Sequence, residues 1–361
     1  MAIKFVGGQV IFKTAELYNF SSFTFTSAGI SGSAPPTLQQ LRAFYTGSAT
    51  GSIFASNVAY FTTGSYQGYQ IWTVPADATY EIEAAGARSG IMVYPVNPIK
   101  PYWGGAIIKG RYRLSKGQKV VMVVGQNALT PTTSATAYNG PGGGGGTYFV
   151  LSGSNTPIII AGGAGSGGAY SGDTGTIRSG SNGQTTTSGS TSWGGASGGT
   201  GSLGGVSHKN TLNVTSTNPY DAGGGGGFLG SGYNGLAVVA NTTNASTGGG
   251  GLAFLSGSTG GVAASTFTPN QATAGGFGGG GGGSPIAGAG GGGYSGGGGS
   301  YRAGSTLSDG GGGGGSFVAN GVTLLATSNG LYENLSTFSG SAITNLNAYN
   351  SGSGYIKITK L

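Results

Sequence analysis

Residues 275–299 read GGFGGGGGGSPIAGAGGGGYSGGGG, and this stretch decides the fold. Similar glycine runs occupy residues 142–146, 223–227, 248–251 and 310–315. Glycine loses more backbone entropy on folding than any other residue, so an isolated run is expected to be disordered. The ordered alternative is the left-handed polyproline-II helix, in which N–H and C=O groups point outward without an internal partner. Because no Cβ holds them apart, several such helices can pack side by side and satisfy one another's backbone groups.

The runs therefore predict a packed bundle of polyglycine-II helices, in which a six-residue run spans about 19 Å at about 3.1 Å per residue. A flexible Gly/Ser linker is the alternative. Against a linker, the runs adjoin apolar or aromatic anchors, as at residues 147–150 and 317–318. Residues 355–361 also alternate like a strand, so the glycine-rich part lies between strands that must pair.

The composition excludes several classes of protein. Of 361 residues, 83 are glycine and 12 are proline without a Gly-X-Y period, which excludes a collagen. Charged residues make up only 6%, which argues against charge-driven disorder, and aromatic residues at 10% can fill a β core. The net charge of +7 is too dilute to predict specific nucleic-acid binding. No cysteine is present, so disulfides and thiolate metal sites are excluded.

The first eight residues lack the long apolar core of a signal peptide. No apolar stretch is long enough to cross a membrane as a helix. We therefore expect synthesis and folding in a cytoplasm, without membrane insertion.

Alternation and β-branched content predict strands on both sides of the glycine-rich part. The first set covers residues 20–26, 66–74, 78–85, 106–114, 119–124, 147–151 and 157–161, and the second lies within residues 317–361. Because a C-terminal strand needs a partner, the two sets are expected to close one β-sandwich. Residues 37–45 are the one good helix candidate, since Leu38, Leu41 and Phe44 have helical spacing.

Three parts of the chain follow from this order. Residues 1–20 are predicted to form a short β arm with a turn at Gly7-Gly8. Residues 21–161 and 317–361 form the predicted antiparallel β-sandwich, and residues 140–316 form the glycine bundle inserted in it.

Several segments carry a resemblance to a known family. Residues 68–75 read GYQIWTVP, residues 79–87 read TYEIEAAGA and residues 121–126 read VMVVGQ. In this order, they resemble the glycine-rich ectodomain of anaplastic lymphoma kinase and leukocyte tyrosine kinase, and the resemblance covers most of residues 20–361. It implies a TNF-like β-sandwich with an inserted polyglycine-helix bundle. This sequence has no cysteine and no kinase, so receptor signalling is not implied.

Catalytic candidates are weak. His208, the one histidine, lies in a Ser/Asn/Thr-rich stretch and is predicted to be a solvated loop residue. Glu81 and Glu83 share a strand face about 7 Å apart, a spacing that a glycosidase pair can have, but a solvated face is favoured. Gly-x-Gly-x-x-Gly matches are inevitable here, and none follows a strand and opens a helix. The sequence therefore predicts no enzymatic activity, no cofactor and no metal site.

Lys109, Arg111 and Arg113 alternate along one strand and so share a face. One interpretation is a docking stripe for an anionic glycan or an acidic partner. The favoured interpretation is a solvated sheet face whose cations oppose edge aggregation.

The loops between glycine helices, at residues 170–193, 207–220 and 300–308, are the better recognition candidates. They are rich in Ser, Thr, Asn and aromatic residues, a chemistry that suits carbohydrate or protein surfaces. The candidate surface residues in these loops are Tyr170, Trp193, Tyr220, Tyr301 and Arg302.

The first functional hypothesis is a bacteriophage virion structural protein: a fibre, a tail-tip adhesin or a capsid-surface decoration. The low-charge Gly/Ser surface offers proteases few targets, and polyglycine bundles resemble the tail-tip adhesins of some large phages. The loops would bind a host-surface glycan or protein, and the N-terminal arm would attach to other virion proteins. TNF-like sandwiches and phage fibres are commonly trimeric, so a homotrimer on the virion surface is expected.

Two alternatives remain open at the level of sequence. The first is an extracellular or cell-surface adhesion protein, exported by a non-classical route. The second, weaker one is an ice-binding protein, since flat polyglycine sheets can order water; bulky Tyr, Phe and Leu anchors interrupt such faces here.

Overall fold

The computed structural model describes residues 2–6, 9–13, 15–92, 102–131, 138–170, 179–207, 220–235, 247–265, 272–303, 307–328, 344–346 and 348–361. The strands are β1 (Ala2–Val6), β2 (Gln9–Lys13), β3 (Ser22–Phe25), β4 (Phe61–Thr63), β5 (Gln70–Thr73), β6 (Ala78–Ala85), β7 (Ile107–Leu114), β8 (Lys119–Val123), β9 (Tyr138–Asn139), β10 (Thr147–Leu151), β11 (Thr156–Ala161), β12 (Ala169–Tyr170), β13 (Arg302–Ala303), β14 (Leu307–Ser308), β15 (Phe317–Val318), β16 (Thr323–Thr327), β17 (Thr344–Asn345) and β18 (Tyr355–Lys360). The helices within these ranges are α1 (Leu38–Thr46), α2 (Ala49–Phe54) and the 3-10 helix η1 (Phe254–Ser256).

Two six-stranded sheets form the framework, which confirms the predicted mainly β sandwich. The first sheet has the antiparallel order β15-β11-β10-β8-β5-β4. The second has the order β17-β16-β7-β6-β18-β3 and is antiparallel except for the β16–β17 pair. The arm strands β1 and β2 pair antiparallel with each other, as predicted, while Gly7-Gly8 lie outside the described residues.

The chain closes as the sequence predicts. Strand β18 lies between β3 and β6, and β15 lies beside β11. The glycine-rich part therefore leaves the first sheet at the end of β11 and returns to it one strand away. It is an insertion between neighbouring strands and not a tail.

Strands β8, β10 and β11 of the first sheet are buried on both faces. One face packs against the second sheet in a core that includes Trp72, Phe149 and Ile82. The other face presents Val123 and Tyr148 and side chains near them to aromatic residues of the glycine-rich part. Strands covered on both sides need apolar residues throughout, which explains the unbroken apolar runs of β8, β10 and β11. The second sheet alternates, with Tyr80, Ile82 and Ala84 buried and the glutamates between them half-buried.

Helix α1 confirms the predicted helix, and Thr37 and Gln40 close a capping box at its start. The expectation of one helix is wrong, because α2 follows at once. Its sequence ATGSIF contains Gly51, a poor helix former. Ser48 caps it, and its Phe54 is completely buried. A Cβ on Gly51 would come closer than 3.0 Å to the Tyr45 carbonyl oxygen. A glycine at this position therefore lets α2 pack closely against the end of α1.

The glycine runs are ordered and buried. We call residues 140–146 and the described part of residues 162–316 the glycine bundle. Every residue of the runs 142–146, 223–227, 278–283, 290–293 and 310–315 is buried. Since buried backbone groups must be hydrogen-bonded, their partners decide how the runs are arranged.

The partners follow a three-residue repeat, which the run 290–293 illustrates. The N–H of Gly290 donates to Gly223, that of Gly291 to Gly312, that of Gly292 to Gly144 and that of Gly293 to Gly226. Residues 290 and 293 thus reach the same neighbouring run, and the two between them reach two other runs.

The run 223–226 shows the same repeat, because Gly223 and Gly226 both donate to residues of the run 278–283. Three residues per turn without internal hydrogen bonds is the geometry of a polyproline-II helix. The left-handed polyglycine helix itself stays a prediction.

Candidate recognition surface at one end of the glycine bundle

Four distant segments meet at one end of the glycine bundle through backbone hydrogen bonds. Ala222 N–H donates to the Ser300 carbonyl over 2.8 Å, and Trp193 N–H donates to the Gly310 carbonyl over 3.0 Å. Gly288 N–H donates to the Asp309 carbonyl over 3.0 Å, which joins the segment before the run 290–293 to the start of the run 310–315. We call the residues Trp193, Tyr220, Asp221, Tyr301 and Asp309 the bundle end.

Trp193 is the most exposed member of the bundle end. Its side chain is 61% exposed. It precedes a turn at Gly194-Gly195, where Gly195 has a φ of +85° and donates its N–H to the Ser192 carbonyl. A Cβ on Gly194 would come closer than 3.0 Å to the Tyr301 ring, so the turn rests directly on that ring. The backbone that follows Trp193 is thereby held against the Tyr301 phenol ring.

Two carboxylates lie close to the Tyr301 phenol. Asp221 is 3% exposed and Asp309 is 7% exposed. Burial raises the pKa of Tyr301 above its ordinary value, and the negative charges of Asp309 and Asp221 raise it further. The phenol therefore stays protonated at neutral pH and can both donate and accept a hydrogen bond.

Serine side chains fix the backbone beneath this group. Ser300 Oγ lies 2.7 Å from the Gly288 carbonyl oxygen and also within hydrogen-bond distance of the Asp309 carbonyl oxygen, so its one proton is shared between these two acceptors. Ser284 Oγ donates to the Tyr220 carbonyl over 2.7 Å. These hydrogen bonds fix the backbone at Tyr220, Ser300 and Asp309.

The structure brings together three of the five loop residues predicted from sequence: Trp193, Tyr220 and Tyr301. Tyr220 and Tyr301 are half-buried. Tyr170 and Arg302 lie in β12 and β13, and their side chains fall outside the described residues, as do His208 and much of the three predicted loops.

Asp221 and Asp309 were missed from the sequence. The available signal was their position, because each stands at the start of a glycine run in a chain with only eight acidic residues. Because acidic residues are so rare in this chain, an aspartate immediately before a buried glycine run stands out in the sequence.

The basic face is arranged differently from the bundle end. Lys109 Nζ lies 2.8 Å from Glu81 Oε1 and 3.9 Å from Glu83 Oε2. Arg111 donates to Glu81 Oε2 from Nε and Nη2 over 3.2 and 3.0 Å, while Arg113 is exposed. Two of the three cations therefore face carboxylates of the neighbouring strand, which favours the solvated sheet face.

The same ion pairs change the acidity of Glu81, which the sequence had offered as a catalytic candidate. The hydrogen bond from Lys109, followed by that from Arg111, lowers the pKa of Glu81 below its ordinary value of 4.5. A general acid of a glycosidase needs a raised pKa. Glu81 is therefore unsuited to donate a proton near neutral pH.

Within the described ranges, no three His, Cys, Asp or Glu side chains are grouped as metal ligands. In that same part of the chain, no helix has the length and apolar character needed to cross a membrane. No protein-family model matches the chain, and no curated protein matches it.

Proposed function

We propose that this protein is a non-enzymatic structural protein of a bacteriophage virion that presents the bundle end to the host surface. It would serve as a fibre, a tail-tip adhesin or a capsid-surface decoration. The observation that carries the proposal is the placement of Trp193, Tyr301 and two aspartates on hydrogen-bonded glycine runs. The resemblance of polyglycine bundles to phage tail-tip adhesins supports the same assignment.

The scaffold in this proposal is a bundle of polyglycine-II helices on a TNF-like sandwich. The three-residue repeat of N–H directions supports polyglycine-II packing. In such a bundle, backbone hydrogen bonds between the glycine runs hold the ends of the loops in place. The loop sequences can therefore vary while the bundle stays the same. Recognition residues on a rigid scaffold lose little entropy on binding.

The chemistry of the bundle end suits a host-surface glycan or protein. An exposed indole offers a flat apolar face, and the half-buried Tyr301 phenol offers a hydrogen-bond donor and acceptor for hydroxyl or amide groups. Large rigid aromatics combined with small polar residues are typical of paratopes.

Two measurements test the proposal. Mass spectrometry of purified virions should detect the protein, and its absence there would remove the virion assignment in favour of an extracellular or cell-surface adhesin.

The purified protein should also bind host cells, and Trp193→Ala should weaken that binding by at least about tenfold, as expected for an aromatic hot spot. The matched control is Phe44→Ala, a change at an aromatic residue of α1 that is 55% exposed, which should leave binding unchanged. Equal binding by both variants would contradict a role for the bundle end.

A further inference from the structure

Asparagine followed by glycine is a chemically labile pair, because the backbone nitrogen of the glycine can attack the side-chain amide carbon of the asparagine. Glycine has no side chain to hinder the approach. The attack needs a glycine N–H that is free and a peptide that can rotate, so hydrogen bonds and close packing suppress it. The chain contains the pairs Asn139-Gly140, Asn182-Gly183, Asn234-Gly235, Asn320-Gly321 and Asn329-Gly330. The fold decides which of them can react.

Two of these pairs are held at both reacting groups. In Asn182-Gly183, the glycine N–H donates to the Gly104 carbonyl over 2.9 Å, and the asparagine Oδ1 accepts from the Gly104 N–H over 2.9 Å. In Asn234-Gly235, the glycine N–H donates to the Gly248 carbonyl over 2.9 Å, and the asparagine Oδ1 accepts from the Gly250 N–H over 2.8 Å. Both pairs can therefore react only after these hydrogen bonds have opened.

A third pair, Asn139-Gly140, is enclosed by neighbouring backbone. Gly140 is buried, and a Cβ on it would come closer than 3.0 Å to the Ser284 carbonyl oxygen. This packing leaves the peptide little room to rotate. The pair Asn329-Gly330 lies outside the described residues.

The pair Asn320-Gly321 differs from these three, because both of its residues are exposed. It forms the turn between β15 and β16, where Val322 N–H donates to the Ala319 carbonyl over 3.2 Å and Gly321 has a φ of +89°. Among the described residues, neither the Gly321 N–H nor the Asn320 side chain has a hydrogen-bond partner. A Cβ on Gly321 would meet only Tyr112, at 3.8 Å. The attacking nitrogen and the amide it attacks are thus both free.

From this contrast, we propose that Asn320 is a site of spontaneous deamidation in the folded protein. The Gly321 nitrogen gives up its proton to solvent and attacks Asn320 Cγ. A bond forms between the nitrogen and Cγ, the bond from Cγ to Nδ2 breaks, and Nδ2 leaves as ammonia. Water then adds to one of the two carbonyl carbons of the succinimide ring and opens it, which leaves either aspartate or isoaspartate. The step needs no co-reactant besides water.

The modified residue lies in a turn that connects the two sheets, since β15 belongs to the first and β16 to the second. Both ends of the turn are fixed: Ala319 N–H donates to the Ile158 carbonyl over 2.9 Å, and Val322 is 3% exposed in the core. Either product adds a negative charge, and isoaspartate also adds one atom to the backbone. Deamidation therefore changes charge and backbone length where the path of the chain is constrained.

Peptide mapping by mass spectrometry tests the proposal on the full chain incubated in mildly alkaline buffer. In the folded protein, Asn320 should deamidate at least about tenfold faster than Asn182 and Asn234, because those two react only after local opening. The matched variant is Asn320→Gln, whose longer side chain closes the corresponding ring much more slowly. Its peptide should keep its original mass over the same incubation.

The same chain in concentrated denaturant is the second control. Without the fold, Asn182, Asn234 and Asn320 should all react at similar rates, because no hydrogen bond then protects any of them. Similar rates for the three in the folded protein would overturn the proposal. So would an Asn320 that stays intact in the folded protein while it reacts in the denatured chain, and so would an equal mass change in the Asn320→Gln peptide.

Discussion

At the scale of single residues, a glycine in the middle of a buried run such as 290–293 meets two requirements at once. Its N–H must reach a neighbouring run, and its Cα must lie against another run's carbonyl. Gly291 illustrates both, because it donates to Gly312 over 2.9 Å, and a Cβ on it would come closer than 3.0 Å to the Gly163 carbonyl oxygen. Real Cβ atoms essentially never approach that closely, so a side chain here must push two runs apart.

Gly291→Ala should therefore lower the free energy of unfolding by about 1–3 kcal/mol, the usual cost of overpacking a core. The matched control is Gly352→Ala, since a Cβ on Gly352 would meet nothing within 4 Å. That change should stay within about 0.5 kcal/mol of the wild type. Thermal unfolding by calorimetry measures both, and an equal shift in the two variants would contradict tight packing of the runs.

Glu81→Gln should lower the free energy of unfolding at neutral pH by about 0.2–1 kcal/mol, the range of partly exposed ion pairs. The hydrogen bonds from Lys109 and Arg111 lower the pKa of Glu81 in the folded protein below its ordinary 4.5. The contribution of the carboxylate is therefore fully present above about pH 4.5 and disappears as the pH falls through the lowered folded pKa.

Urea unfolding of the wild type and Glu81→Gln should thus converge in strongly acidic buffer. Arg113→Gln, at an exposed cation of the same face, serves as the control and should show little effect at either pH. A Glu81→Gln deficit that persists unchanged in acid would show that the ion pairs are not its cause.

At the scale of elements, the joint between the first sheet and the glycine bundle depends on aromatic residues. Phe254 in η1 stacks on Phe228 at 5.0 Å between ring centroids and lies 5.1 Å from the rings of both Tyr69 and Tyr148. Tyr148 Oη also donates to the Gly293 carbonyl over 3.0 Å. The rings supply the apolar burial that the glycines cannot.

Phe254→Ala should cost about 3–5 kcal/mol of unfolding free energy, because it leaves a cavity in this joint. Phe44→Ala, at a ring that is 55% exposed on α1, should cost much less and is the matched control. Chemical denaturation followed by far-UV circular dichroism distinguishes them. Similar losses for the two variants would contradict an aromatic joint between sheet and bundle.

Strands were more predictable from sequence than helices. Strand β6 has the predicted bounds, and β7, β8, β10 and β11 differ from their predictions by a residue or less at each end. Their signal is local, since alternation or β-branched content marks them directly. Helix α2 has no such signal, because its stability comes from Ser48 at its start and from burial of Phe54, contacts that only the folded protein supplies. The three-residue strand β4 was missed because it is too short to show a period.

At the scale of the whole molecule, three layers follow one another: the second sheet, the first sheet and the glycine bundle. The charged face of β6 and β7 lies on the outer side of the second sheet, away from the bundle. The order of layers follows from hydrophobic patterning, with alternation in the outer sheet and continuous apolar runs in the covered one.

The candidate site was predictable only in part. The aromatic content of the loops indicated Trp193 and Tyr301. Asp221 and Asp309 are remote from each other in sequence, and hydrogen bonds between glycine runs bring both of them close to the Tyr301 phenol. A sequence of identical residues carries no information about which run lies next to which, so that proximity required the structure.

The ordered glycine bundle supports every functional inference made for this molecule, and amide hydrogen exchange tests it most directly. The N–H groups of residues 290–293 should exchange as slowly as those of strands β6 and β7, through global unfolding only. Exchange of these glycine amides at the rate of a free peptide, while the strands stay protected, would contradict a hydrogen-bonded bundle.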